Sequence, residues 1–110
     1  MLPTNVRLRK SLEISKTLKT GKRYSAKFLV FHIAPGATAE SRFAFAVGKN
    51  VGNSVVRHKV IRRLRHLVAQ NYQKFPTGHD VVVRALPGIE NSTHQELQSN
   101  FDFALAKVDH

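Results

Sequence analysis

Five cations fall within nine residues of this chain: Arg57, Lys59, Arg62, Arg63 and Arg65, with His58 among them and His66 next in line. Residues of these types support two chemistries. Guanidinium and ammonium groups bind phosphate oxygens. Imidazoles can work as a general acid and a general base on a phosphodiester. The second use needs paired, converging groups, and the sequence offers none. His66, His79 and His94 read as helix surface or loop positions, and no two histidines have the His-x-x-x-His spacing of a helical metal site. Glu90, Glu96 and Asp102 are spread along the last third of the chain, away from the cations. No catalytic residue and no metal site is expected, and phosphate binding is the chemistry left.

The charge distribution points the same way. The chain has 110 residues and a formal net charge of +11. Residues 1–27 carry eight Lys/Arg and one acid, residues 41–79 carry eight and no acid, and residues 80–110 carry two against five acids. A polyanionic partner accounts for such segregation better than a need for solubility. Apolar residues make up 42% of the chain, so one folded domain over residues 1–110 is expected. There is no cysteine, which excludes disulfides and thiolate metal sites and fits a reducing compartment. No apolar run reaches the length of a bilayer span, and the basic N-terminus lacks the apolar core of a secretory signal. A cytoplasmic protein without a membrane partner is the expectation.

These cations need elements to position them. Apolar residues Val56, Val60, Ile61, Leu64, Leu67 and Val68 share one arc of a helix read from Asn53 to Tyr72. His58, Lys59, Arg62, Arg63, Arg65 and His66 fill the opposite arc, and only Val55 and Arg57 sit off this division. Four like charges on one face, with Arg57 nearby, cost stability unless a partner neutralises them, because solvated helices mix signs at i,i+4. A strand ending near Gly48 and a glycine-containing turn precede this helix, so its open N–H groups add to the phosphate-binding character. Ser11 to Thr20 reads as a shorter helix, with Ser11 as N-cap and Gly21 as its stop. Lys27–Ala34, Arg42–Val47 and His79–Ala85 read as strands. A last helix is expected from Ser92, with Gln95 completing a capping box. In the first of these strands, Phe28, Val30 and His32 point one way and Leu29, Phe31 and Ile33 the other. The second set reads as core; the first is either core or an open face on which bases could stack.

The run Lys49, Val51, Gly52, Asn53, Val55, Val56, Arg57, Lys59, Val60, Arg62 and Arg65 resembles, without gaps, the Arg-Asn-Arg motif of the bacterial ribonuclease P protein family. Arg7-Leu8-Arg9-Lys10 is similar to the family's N-terminal basic motif, and Asp80-Val81-Val82-Val83-Arg84 with Pro87-Gly88 to its strand and Pro-Gly turn. The chain departs from the pattern at Asn50, His58 and Ile61, where the family has Lys, Asn and commonly Lys. The first and last changes remove cations and should weaken phosphate contacts.

The resemblance implies an α+β fold: a single-domain α/β sandwich in the order α-β-β-(β)-α-β-α, with the cationic helix packed on a small mixed sheet. It also implies a left-handed crossover through that helix, against the usual rule. By the same resemblance, Lys49, Asn53, Arg57, His58, Lys59, Arg62, Arg63 and Arg65 bind the catalytic RNA of ribonuclease P. Arg9, Lys10, Ile14, Leu18, Lys27, Phe28, Val30 and His32 would line a cleft for the 5′ leader of precursor tRNA. The protein would be an accessory subunit of a tRNA-processing endoribonuclease whose RNA carries the chemistry and the magnesium. No cofactor of its own and no obligate protein partner is expected. A basic ribosomal-type RNA-binding protein would share the charge, but nothing in it would require the Lys49–Arg65 pattern. An amphipathic membrane helix is disfavoured, because flanking strands need the apolar face of 56–68 as core.

Overall fold

A computed structural model of the chain describes Arg7, Leu8 and residues 10–108. Element order is α1 (Ser11–Thr20), β1 (Lys22–Ser25), β2 (Leu29–Pro35), β3 (Arg42–Ala46), α2 (Ser54–Asn71), β4 (His79–Ala85) and α3 (His94–Ala106), with 3-10 turns at Tyr72–Lys74 and Ile89–Asn91. The sheet has the order β1-β2-β4-β3. β1 and β4 both run antiparallel to β2, whereas β3 runs parallel to β4, so the sheet is mixed as expected. The parallel pair requires a crossover, and α2 supplies it.

Alternation in the strands sends side chains to two covered faces. Leu29, Phe31, Ile33, Phe43, Val81 and Val83 join Val60, Leu64, Leu67 and Val68 of α2 and Leu97, Phe101 and Ala104 of α3 in one core. At its centre, Phe75 meets Phe31, Phe43 and Phe101 edge to face, with ring centroids 5.2, 5.1 and 6.2 Å apart. The other face is thinner. Leu8, Ala44 and Val82 pack there with Ile14 and Leu18 of α1 and with Ala46.

Helix ends depart from expectation in instructive ways. Lys10, not Ser11, holds the N-cap position of α1 and makes no side-chain cap. Gly21 ends that helix with extended backbone, and its N–H donates to the Thr17 carbonyl at 2.9 Å. The capping box of α3 is formed by Thr93 and Glu96, one residue beyond Ser92 and Gln95. Both pairs fit the spacing, but the Ser92 hydroxyl instead donates to the Ile89 carbonyl at 2.7 Å. The backbone and hydroxyl of Thr93 bond Glu96, which holds its carboxyl below the usual range. β1 lacks an apolar alternation, since only Tyr24 of its residues is buried, and it pairs as an edge strand.

Arg42 ties the two layers together. Its Nη2 donates to Glu13 of α1 at 2.6 Å, and its Nε donates to Asp80 of β4 at 3.1 Å. The guanidinium holds the Glu13 carboxyl below its ordinary range, and the two carboxylates raise Arg42 in turn.

Candidate nucleic-acid interface

α2 presents its cations as the arc predicts, with one exception. Asn53 caps the helix, its side-chain oxygen accepting from the Val56 N–H at 3.0 Å. The cap takes up one acceptor of Asn53 and leaves its NH2 group outward. Val60, Leu64, Leu67 and Val68 are buried. His58, Lys59, Arg62, Arg65 and His66 are exposed, forming one continuous face, and Arg65 lies over the Phe45 ring at 5.8 Å. Lys49 is exposed in the turn before the helix, where the Val51 N–H donates to the Gly48 carbonyl. Val55 is 63% exposed and Arg57 half-buried, the two residues that fall off the helical division.

Arg63 is the exception. It turns away from the exposed cations and grips the segment before α3. Its Nη1 donates to the Ile89 carbonyl at 3.2 Å, and its Nη2 reaches the Ser92 carbonyl at 2.7 Å, the Ser92 hydroxyl at 3.1 Å and the Thr93 carbonyl at 3.1 Å. A guanidinium so engaged is a structural clamp, which sets Arg63 apart from its exposed neighbours in the cationic row. Helical periodicity gives the direction of a side chain, not what lies within its reach.

The residues expected to line a leader cleft are divided by the fold. Arg9 lies outside the described residues. Lys10 and Lys27 are exposed. Ile14 and Leu18 are partly buried against the thin face of the sheet. Phe28 packs instead against the larger core. Its N–H donates to the Asn100 side chain at 2.8 Å, and Lys27 Nζ lies 5.3 Å from its ring centre. Val30 and His32 are 3% and 2% exposed, so the strand face that could have been open or core is core here. A base could reach them only by displacing α1, which packs on β2 and β4.

His32 is held neutral in this layer. Burial lowers its pKa, and Arg84 and Arg23 push it the same way, against the Leu18 carbonyl. Its Nε2 accepts from Arg84 Nε at 3.1 Å, a role open only to a neutral ring with the proton on Nδ1.

Among the described residues no group of three or more His, Cys, Asp or Glu side chains could hold a metal ion, and no helix is long and apolar enough to cross a membrane.

A four-stranded mixed sheet with a helix on one face and two on the other, bearing an acid-free cationic crossover helix, defines a small basic protein of the α+β class. The comparisons with known proteins narrow this. The family model described as Ribonuclease P matches residues 2–109. The ribonuclease P protein component of Streptomyces bikiniensis is 40% identical over 117 residues, covering 98% of this chain and 95% of that protein. That of Kocuria rhizophila is 42% identical over 106 residues, covering 96% and 94%. Among solved structures, the RNase P protein of Staphylococcus aureus superposes with a TM-score of 0.83 at 22% identity, covering 96% of this chain and 98% of that one. The RNase P protein of Thermotoga maritima gives 0.82 at 20% identity, covering 94% and 98%. The chain belongs to the ribonuclease P protein family.

Proposed function

We propose that this protein is the RNA-binding subunit of a ribonuclease P, holding the catalytic RNA on the outer face of α2 and assisting removal of the 5′ leader from precursor tRNA. The observation that carries the reading is the exposed row His58, Lys59, Arg62, Arg65 and His66, set on a helix whose other side is core, in a 39-residue stretch (residues 41–79) without an acid. Each exposed cation can neutralise a phosphate and release a counterion. Lys49 and the outward NH2 of Asn53 extend the row past the helix start, and Arg57 lies along its edge. In this reading the chemistry and the magnesium belong to the RNA.

With Val30 and His32 buried, a leader strand would meet Lys10, Lys27 and the partly covered Phe28. Backbone charge would then contribute more than stacking, giving a salt-dependent preference for precursor over mature tRNA with little dependence on leader sequence.

The test is binding of ribonuclease P RNA across a salt series, followed by precursor cleavage with the reconstituted complex. Arg62→Ala and Arg65→Ala should fold normally, bind more weakly and each flatten the salt slope by about 0.7–0.9. The double variant binding with the wild-type slope would overturn the proposal. So would magnesium-dependent cleavage by the protein without RNA.

A further inference from the structure

A second feature adjoins the cationic face and is not made of cations alone. Between α2 and the turn that leads into α3 lies a pocket of about 380 Å³. This is within the range of roughly 300–1,000 Å³ found for pockets that take small organic ligands. Its floor is Val56 and Val60, and Arg63 forms one wall. That wall is fixed, because the guanidinium bonds the Ile89, Ser92 and Thr93 carbonyls. Glu90, Asn91 and His94 also line it; the Glu90 carboxylate accepts from the Gly88 N–H at 2.8 Å, whereas Asn91 and His94 are exposed and neither is bonded through its side chain to any described residue. Lys59 stands at the mouth and belongs at once to the pocket and to the exposed cationic row of α2.

An unpaired nucleobase has a flat apolar face, an edge of donors and acceptors, and a phosphate on either side. This pocket offers a counterpart to each. The valine floor and the immobilised Arg63 plane suit the faces, since guanidinium planes stack on bases. The Asn91 amide carries both a donor and an acceptor, and His94 adds a ring nitrogen of either kind. Lys59 is placed to take the adjoining phosphate. A pocket for a free anion alone would lack the apolar floor, and a paired base has neither its face nor its Watson–Crick edge free.

We infer that the pocket between α2 and the α3 approach receives one unpaired base of the bound RNA, whose flanking phosphates lie on the α2 cations. This rests on the reading of the α2 face as an RNA surface. The pocket would thus add recognition of single-stranded character to a face that otherwise senses only charge.

The test uses the isotope-labelled full chain with two probes, a single-stranded RNA octamer and a blunt RNA duplex of the same length. The octamer should shift the Asn91 side-chain amide and the His94 ring resonances, and the duplex should leave them in place. Asn91→Ala should weaken the octamer about five- to tenfold, the scale of one side-chain hydrogen bond, without altering the salt slope or duplex affinity. Lys59→Ala, by contrast, should lower the slope by about 0.7. If the octamer binds with its salt dependence but the Asn91 and His94 signals stay fixed and Asn91→Ala binds as well as wild type, the pocket is not a base site, while the RNA reading stands. Equal shifts from octamer and duplex would also overturn it. If neither RNA binds, the RNA reading fails and the pocket with it.

Discussion

Arg62 and Arg63 are adjacent in sequence and alike in charge, yet their truncations should behave differently. Arg63→Ala removes the four bonds its guanidinium makes to Ile89, Ser92 and Thr93. Their loss is not equal. The Ile89 carbonyl keeps the Ser92 hydroxyl and the Ser92 N–H, and the Thr93 carbonyl keeps the Leu97 N–H. The Ser92 carbonyl, reached by Arg63 at 2.7 Å, loses its charged donor. A hydrogen bond to a charged group contributes about 1.5–3 kcal/mol. With Arg63 only half-buried and the other bonds shared, about 2 kcal/mol is expected for the whole truncation. Arg62 makes no bond to a described residue and is exposed, so Arg62→Ala should stay within about 0.5 kcal/mol of wild type. In urea unfolding, with a slope of about 1.3 kcal/mol/M, Arg63→Ala should lower the midpoint by about 1.5 M and Arg62→Ala by less than about 0.4 M. Arg63→Lys should recover little, because one ammonium cannot span the Ile89 and Ser92 carbonyls as a planar fork does. Coincident midpoints for Arg62→Ala and Arg63→Ala would refute the clamp.

His32 should make stability depend on pH on the acid side. Its folded pKa lies below the ordinary 6.5, so its contribution is complete above that value and is lost as pH falls through the folded pKa. The difference in urea midpoint between pH 8 and pH 5 should therefore shrink in His32→Phe, and an unchanged difference would show that another group titrates. Gly52→Ala should destabilise by about 1–2 kcal/mol, because a Cβ there would come 2.7 Å from Val56 Cγ1 and 2.8 Å from its Cβ. Wild-type thermal stability in that variant would mean that the turn before α2 moves freely.

Much of this fold is legible from pattern alone. α1 and β4 run where periodicity puts them, and α2 differs from its expected span by a residue at each end. Such elements carry strong apolar repeats. β1 carries none, and its place as a strand depends on the β2 edge beside it. The cationic face is equally legible, because helical geometry alone separates Lys59, Arg62 and Arg65 from Val60 and Leu64. What could not be read is set by long-range contact. Arg63 finds carbonyls 26 to 30 residues away. Val30 and His32 are closed off by a helix whose packing depends on Ile14 and Leu18. Whether a half-apolar strand face is open or covered depends on the layer above it, and strand alternation does not contain that information.

The strand order also constrains how the chain comes together in time. β4 is the last strand in sequence, yet it sits in the interior of the sheet, pairing β2 on one side and β3 on the other. A chain growing from its N-terminus can fold the β1–β2 hairpin early, but β2 and β3 then wait, each with an open inner edge, until residues 79–85 arrive. These pairings join residues up to 56 apart along the chain, as for Leu29 and Ala85. Loops of that length close slowly, and folding rates fall as such contacts come to dominate. Until the final strand docks, two apolar edges are available to any neighbouring chain, so the window most exposed to misassembly precedes its emergence.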